Sequence, residues 1–293
     1  MSPILQKNKK FIVVGLLPAL LVFFCFVLYP IVRSFMYGFY DWNGLSKPVF
    51  VGFDNFKNIF ADSVFWKALK NNLFVVFASI FGQIPLGIIA AVVLSGRLKG
   101  KGAFRTAFFI PMILTTVVVG LLWTTILNSQ VGLLRSFLLG LGFKNTPDLL
   151  GNPATAIYAV CFVIIWQFIG LYMIIFLAAL QNIPHDITEA ADIDGANEVV
   201  KFFRIRLPLL WPTIAAASVL CISGSMRSFD LIFVMTGGGP AHATEVMATY
   251  MYNKTFSVNR YGYGSAVSLV IAAISFAFIS ISRKMLLRNA QDI

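Results

Sequence analysis

The stretch EAADIDGANEVVKFFRIRLP, Glu189 to Pro208, sets a compact polar segment between two long apolar runs. Asp186, Glu189, Asp192, Asp194 and Glu198 gather here, in a chain with twelve acidic residues among 293, so this is where the chain leaves its apolar surroundings. Pro184 stops the preceding run. Asp186 or Thr188 then stands where a cap belongs, and Glu189 in the first turn suits the positive end of the helix dipole. Ala190 and Ala191 give that helix a thin face, open to close approach by a partner. Gly195 breaks or bends the chain. A second short helix follows, with Val199, Phe202 and Phe203 as its apolar stripe and Asn197, Lys201 and Arg204 as its polar one. RIRLP ends that helix, and Pro212 starts the next apolar run. The expected structure is two short helices at an angle, projecting from a membrane. Patterning alone also suits an ordinary solvated loop with a charged face.

The surroundings are those of an integral membrane protein. Charged residues make up 12% of the chain, against about 25% in ordinary globular domains, and the mean hydropathy is +0.82. Six apolar runs reach the roughly 20 residues that a spanning helix needs: Phe11–Val32, Leu73–Leu94, Phe108–Leu127, Thr155–Leu180, Thr213–Met235 and Gly264–Ser282. The expectation is an all-α membrane protein of six transmembrane helices in one domain, residues 1–293, with the polar segment 185–208 between spans four and five.

Charge distribution orients it. The N-terminus, loops 95–107 and 181–210 and the tail 283–293 hold 13 Lys and Arg in 64 residues, against 9 in the 95 residues of the opposite loops. That is about twice the density, so both termini and the 185–208 segment are expected to be cytoplasmic. The net charge of +11 sits in short loops beside the apolar runs rather than on one face, which argues against nucleic acid as a partner. The first run, 22 residues with no small-x-small site after it, reads as an uncleaved helix rather than a signal peptide.

The outer loops are expected to carry turns at YDWNG and VGFDNF, a short surface helix in DSVFWKALKNNLF leading into the second span, and an interfacial helix in GLLRSFLLGLGF. Gly237-Gly238-Gly239-Pro240 forms a sharp reversal after the fifth span. Cys25, Cys161 and Cys221 all fall in spans, without disulfide or zinc spacing, and read as apolar filler. No internal repeat is evident, which weakens the case for a carrier built from inverted halves.

Polar groups inside the spans are candidate pathway residues. Arg227 and Asp230 each cost roughly 2.5–3.5 kcal/mol at mid-helix, and with Ser223 and Met226 they follow i, i+3, i+4, i+7, one helical face. That face suits either a water-filled pathway or an ion pair serving packing alone. Gln167, in the middle of the fourth span, needs a partner, and an interhelical hydrogen bond supplies one. Its neighbour Trp166 offers an indole face to the C–H surface of a sugar ring. Gln83 with Pro85 reads as a kink. His185 and His242 have no metal or nucleophile partner.

The polar segment resembles the EAA signature of ABC-importer permeases: Glu189-Ala190-Ala191, three residues, Gly195, nine residues, Ile205, one residue, Leu207-Pro208. The carbohydrate-uptake, maltose-type branch of that binding-protein-dependent family shows further resemblance at Tyr29-Pro30, Ser34, Asp41-Trp42, Val51-Gly52 and Asp54-Asn55-Phe56. MTGGGP (Met235–Pro240), Tyr252, Thr255-Phe256 and YGYGSA (Tyr261–Ala266) look like the larger permease of the pair. The resemblance implies that the polar segment is a pair of coupling helices seated on an ATPase subunit. Glu189, Ala190, Ala191, Val199, Phe203, Ile205, Leu207 and Pro208 would be its contact and packing residues, with Asp194 and Ala196 beside the Gly195 bend. It implies sugar contacts in the fifth span just before the Gly-Gly-Gly-Pro turn. Its partners would be a second permease, two ATPase subunits carrying ATP and Mg, and an extracellular or periplasmic binding protein, in a bacterial cytoplasmic membrane. Alternating access driven by ATP would move a sugar or oligosaccharide.

Glycerol-phosphate-type importers share much of this pattern, and a gradient-driven carrier is a further alternative. Gly96–Ala103 (GRLKGKGA) superficially suggests a phosphate loop but lacks the four-residue gap between glycines and the Ser or Thr after Gly-Lys. No cofactor is therefore expected in the chain itself. No carboxylate pair, triad or metal-ligand set supports catalysis, and the chain is not expected to be an enzyme.

Overall fold

The computed structural model describes residues 9–96, 99–143 and 146–291. Lys7 of the N-terminal basic group, and Arg97 and Leu98 within Gly96–Ala103, lie outside the described residues. The described chain is mostly helical, as expected where no water satisfies backbone groups. Its one sheet is a two-stranded antiparallel ribbon. Five helices are long and apolar enough to span a bilayer, and a bent pair provides a sixth candidate. The chain divides into two compact units, Met1–Asp62 with Met251–Val270, and Ser63–Tyr250 with Ile271–Ile293.

In the first unit α1 (Lys9–Phe23) passes through a π-turn, Phe24–Leu28, into α2 (Tyr29–Tyr37). Pro30 sits in the first turn of α2, where its missing N–H costs least. After the ribbon of β1 (Tyr40–Asp41) and β2 (Val49–Phe50) comes α3 (Asp54–Ala61). The buried Asn55 donates its amide to the carbonyls of Gly38 and Tyr40, each at 3.0 Å, pinning the ribbon to the end of α2. Asn43 accepts from the backbone of Leu45 and Ser46, the turn chemistry that YDWNG predicts. Lys254 pairs with Asp62 at 3.0 Å.

The second unit is built on α4 (Ser63–Ser95). The surface helix expected from DSVFWKALKNNLF is not separate. With neither Gly nor Pro before Gly82, the stretch forms the first turns of a single 33-residue helix. That helix is about 50 Å long at 1.5 Å per residue, well beyond a hydrocarbon core of about 30 Å. Next come α5 (Lys101–Ile113), α6 (Thr116–Ile126), α7 (Leu133–Gly140) and α8 (Ala156–Gln181). α7 falls where GLLRSFLLGLGF predicts a helix. α4 and α8 pack closely because small residues let their backbones approach. A Cβ added at Gly87 would lie 2.8 Å from the Cβ of Tyr172. Ile84, Ile88 and Leu94 then meet Met173, Phe176 and Leu177 in a buried cluster.

After α8 come α9 (His185–Ile193), α10 (Glu198–Lys201), a π-turn at Phe202–Arg206, α11 (Leu207–Met226), α12 (Asp230–Thr236) and α13 (Met247–Tyr252). α14 (Tyr261–Gln291) closes the chain. Within the second unit its Ile274 and Phe278 pack on a cluster of Val76, Ile222, Met226 and Met247.

Two expected spans are broken. The third, 108–127, is α5 plus α6, meeting at 100°. Thr115 caps α6 by accepting from the N–H of Val118, and Leu114 is extended, so the chain turns between them. The fifth, 213–235, is α11 plus α12, interrupted at Arg227–Phe229. Conversely, RIRLP does not end a helix: residues Glu198–Met226 run on as one 29-residue helix. The wide π-turn just before Leu207-Pro208 makes room for the proline ring.

Candidate functional site

The polar segment folds as a helical hairpin. α9 starts at His185, directly after Pro184, without a side-chain cap, so neither Asp186 nor Thr188 serves as one. Its end is a Schellman turn: Gly195 is left-handed (φ +75°), its N–H reaches the Asp192 carbonyl at 3.1 Å, and the Ala196 N–H reaches Ala191 at 2.9 Å. Asn197 then caps α10, accepting from the Val200 N–H at 2.8 Å. Glu189, Ala190 and Asp194 are exposed, Ala191 is buried, and Ile205, Leu207 and Pro208 are half-buried. Val199 and Phe203, expected as stiffening packing, are instead 64% and 60% exposed, and Ile193 is 87% exposed. The hairpin therefore presents an uncovered apolar surface.

What ties the two arms of the hairpin together is Lys201, which the sequence places in the polar stripe. Its buried side chain reaches from α10 to Asp192 on α9 at 2.6 Å and also bonds Glu198, which in turn holds Arg206 at 3.2 Å. Glu198, Lys201, Arg204 and Arg206 place four charges in nine residues, too many for hydrocarbon, so this part lies outside the spanning portion of its helix. The Lys201 hydrogen bond holds the Glu198 carboxyl below the usual carboxylate range. The bonds to Asp192 and Glu198 raise the Lys201 amine. The carboxylate contribution is lost only as pH falls through the lowered value, and the amine contribution only as pH rises through the raised one. The tie therefore stays intact throughout the neutral range. Lys201→Met keeps the apolar stem and removes the charge. Amide exchange at Gly195 and Ala196 is expected to speed up about three- to fivefold; unchanged exchange would show that the tie carries no load.

A second site lies at the two helix breaks. A cavity of about 250 Å³ is lined by Gln83 from α4, Thr116 from α6, and Ser225, Arg227, Ser228 and Asp230 from the α11–α12 junction, among others. Arg227 and Asp230 are exposed, and they do not pair with each other. Arg227 Nε donates to the Ser223 carbonyl at 3.3 Å, and Asp230 accepts from Thr116 Oγ1 at 3.4 Å. The helical face expected from Ser223, Met226, Arg227 and Asp230 does not form, because the break swings Asp230 onto a new helix. Met226 is buried in the core, where its sulfur accepts from Asn72, and neither it nor Ser223 lines the cavity.

Trp166 and Gln167 do not line it either. Gln167 is buried and donates to the Leu114 carbonyl at 3.4 Å, an interhelical bond to a carbonyl freed at the α5–α6 bend. Trp166 packs edge-on against Trp123. Beside Pro85, Gln83 reads from the sequence as a kink marker. In the structure it spans α8 and α11, donating to Ile164 and accepting from Cys221 while lining the cavity. Past α12, Gly237 and Gly238 take positive φ and the reversal is sewn by buried Thr244, whose hydroxyl donates to the Gly239 carbonyl at 2.7 Å.

The arrangement joins a helical hairpin to a charged cavity, within one helical unit. The sequence model of binding-protein-dependent transport system inner membrane components matches residues 83–289. The multiple sugar-binding transport system permease protein MsmF of Streptococcus mutans is 37% identical, over 88% of this chain and 90% of its own. The trehalose/maltose transport system permease protein MalF of Thermococcus litoralis is 31% identical, over 97% and 96%. A subunit of a bacterial ABC transporter that imports the acidic polysaccharide alginate has the same fold. Its TM-score is 0.85 at 24% identity, with coverage of 98% of this chain and 99% of that one. On these grounds the chain belongs to the binding-protein-dependent ABC-transporter permeases, the inner-membrane components of such transport systems.

Proposed function

We propose that the chain is the larger-type permease subunit of an ATP-driven importer that moves a sugar or oligosaccharide across the cytoplasmic membrane by alternating access. The observation that carries this reading is one continuous helix, Glu198–Met226. At one end it forms an arm of the Gly195 hairpin, and at the other it delivers Arg227 to the cavity at the helix breaks. A displacement of the hairpin is thereby transmitted to the cavity as a rigid-body motion. Two ATPase subunits binding ATP and Mg would seat the hairpin on the cytoplasmic side, with both termini on that side. A second permease would complete the pathway, and a binding protein would dock outside. The sugar class is supported by the names of the relatives MsmF and MalF. The unneutralised guanidinium of Arg227 favours a second reading, a phosphorylated solute of the glycerol-phosphate type.

The test is uptake into proteoliposomes containing this chain, its partner permease and the ATPase, supplied with loaded binding protein. ATP inside should be required, and a neutral disaccharide should be taken up in preference to glycerol phosphate. Uptake that persists without ATP overturns the importer reading. Reversed preference selects the second solute class.

A further inference from the structure

An apolar groove on the second unit lies beside two basic residues that form no ion pair among the described residues. The groove, about 530 Å³, is walled by Phe104, Phe108 and Pro111 of α5, Leu86 of α4, and Trp166 and Ile169 of α8. Phe104, Phe108 and Pro111 follow i, i+4, i+7 and so share one face of α5. Lys101 stands on that face one turn before Phe104, with Arg105 four residues after Lys101. None of the three walling helices contains an Asp or Glu, and none occurs anywhere between Asp62 and Asp148. The Nε of Arg105 is withdrawn from solvent and has no hydrogen-bond partner among the described residues.

We propose that this groove binds one anionic phospholipid, an acyl chain lying along Phe104, Phe108 and Pro111 and the phosphate held by Lys101 and Arg105. The hydrocarbon wall alone would accept any lipid tail. The discriminating feature is the pair of basic residues beside it, Lys101 one turn before Phe104 and Arg105 directly after Phe104, since a guanidinium with a free donor matches a phosphate oxygen. Basic pockets between spanning helices select anionic head groups for the same reason. An apolar helix of a second protein would fill the groove equally well but would leave Lys101, Arg105 and the unpartnered Nε unneutralised. The site is independent of which solute is carried and of what drives transport.

The full chain in nanodiscs of mixed phosphatidylglycerol and phosphatidylcholine, analysed by native mass spectrometry, provides the test. One phosphatidylglycerol should be retained in preference to phosphatidylcholine. Joint Lys101→Gln and Arg105→Gln substitution should weaken that retention about thirtyfold, about fivefold for each basic side chain near an anionic surface. Ala107 also lines the groove, and Ala107→Trp, which keeps both charges and fills that space, should abolish it. Equal retention of the two lipids overturns the proposal, as does full retention in either variant. A photoreactive side chain at Ala107 in the otherwise native chain, irradiated in its own membrane, decides the matter should the variants misfold. Capture of phospholipid supports the site, and capture of a protein segment instead overturns it.

Discussion

Gly195→Val is expected to abolish ATP-driven uptake while the chain still inserts and assembles, whereas Gly195→Asn keeps most of it. The reason is backbone conformation, not space: an added Cβ meets nothing within 4 Å, yet φ is +75°. A left-handed residue other than glycine costs roughly 1–2 kcal/mol, less for Asn and more for a β-branched side chain. That is about a tenfold bias or more against the native turn. Relaxation to negative φ breaks the bonds from Gly195 to Asp192 and from Ala196 to Ala191, so α9 leaves its angle to α10. The hairpin would then present Ile193, Val199 and Phe203 in the wrong relation to one another. Uptake measured beside co-purification of the ATPase separates loss of docking from loss of insertion. Equal transport by the Val and Asn variants would remove Gly195 from the coupling mechanism.

The spans and the hairpin were legible in the sequence for different reasons. Uninterrupted apolar length announces a spanning helix such as α8, and the Gly195 turn follows from the only glycine within a charged, helix-forming segment. The breaks were hidden because an apolar span is hydrophobic on every face, so periodicity cannot register where its axis bends. Thr115 at the α5–α6 junction was the available cue, a capping residue set in apolar surroundings. At the other break the cue was polar density: Ser223, Ser225, Arg227, Ser228 and Asp230 crowd into eight residues, more than a continuous spanning helix holds without reason. The stripe of Val199 and Phe203 illustrates the opposite error. Spacing shows that a face is apolar, not whether the chain itself covers it, and here it does not.

Those two breaks determine the second expectation, that Arg227→Leu raises the KM for solute tenfold or more while ATPase stimulation by loaded binding protein survives at saturating solute. Arg227 and Asp230 have no ion pair with each other to satisfy them, and each keeps one long hydrogen bond, at 3.3 and 3.4 Å, inside the chain. A charge left so weakly engaged beside apolar helices is tolerable where water or a polyhydroxylated solute reaches it. Hydrogen bonds to a charged group contribute about 1.5–3 kcal/mol, and losing one corresponds to about 10- to 100-fold in affinity. Arg227→Lys should fall between, since it keeps the charge and loses the planar fork that grips neighbouring hydroxyls. Gln167→Leu is the contrasting control, because that amide engages the Leu114 carbonyl across the α5–α6 bend and does not line the cavity. Its KM should stay within about threefold, as interhelical bonds of this kind average only about 0.6 kcal/mol. A KM that moves with Gln167 and not with Arg227 would relocate the pathway to the α6–α8 side of the unit, and with it the solute contacts assigned to the α11–α12 junction.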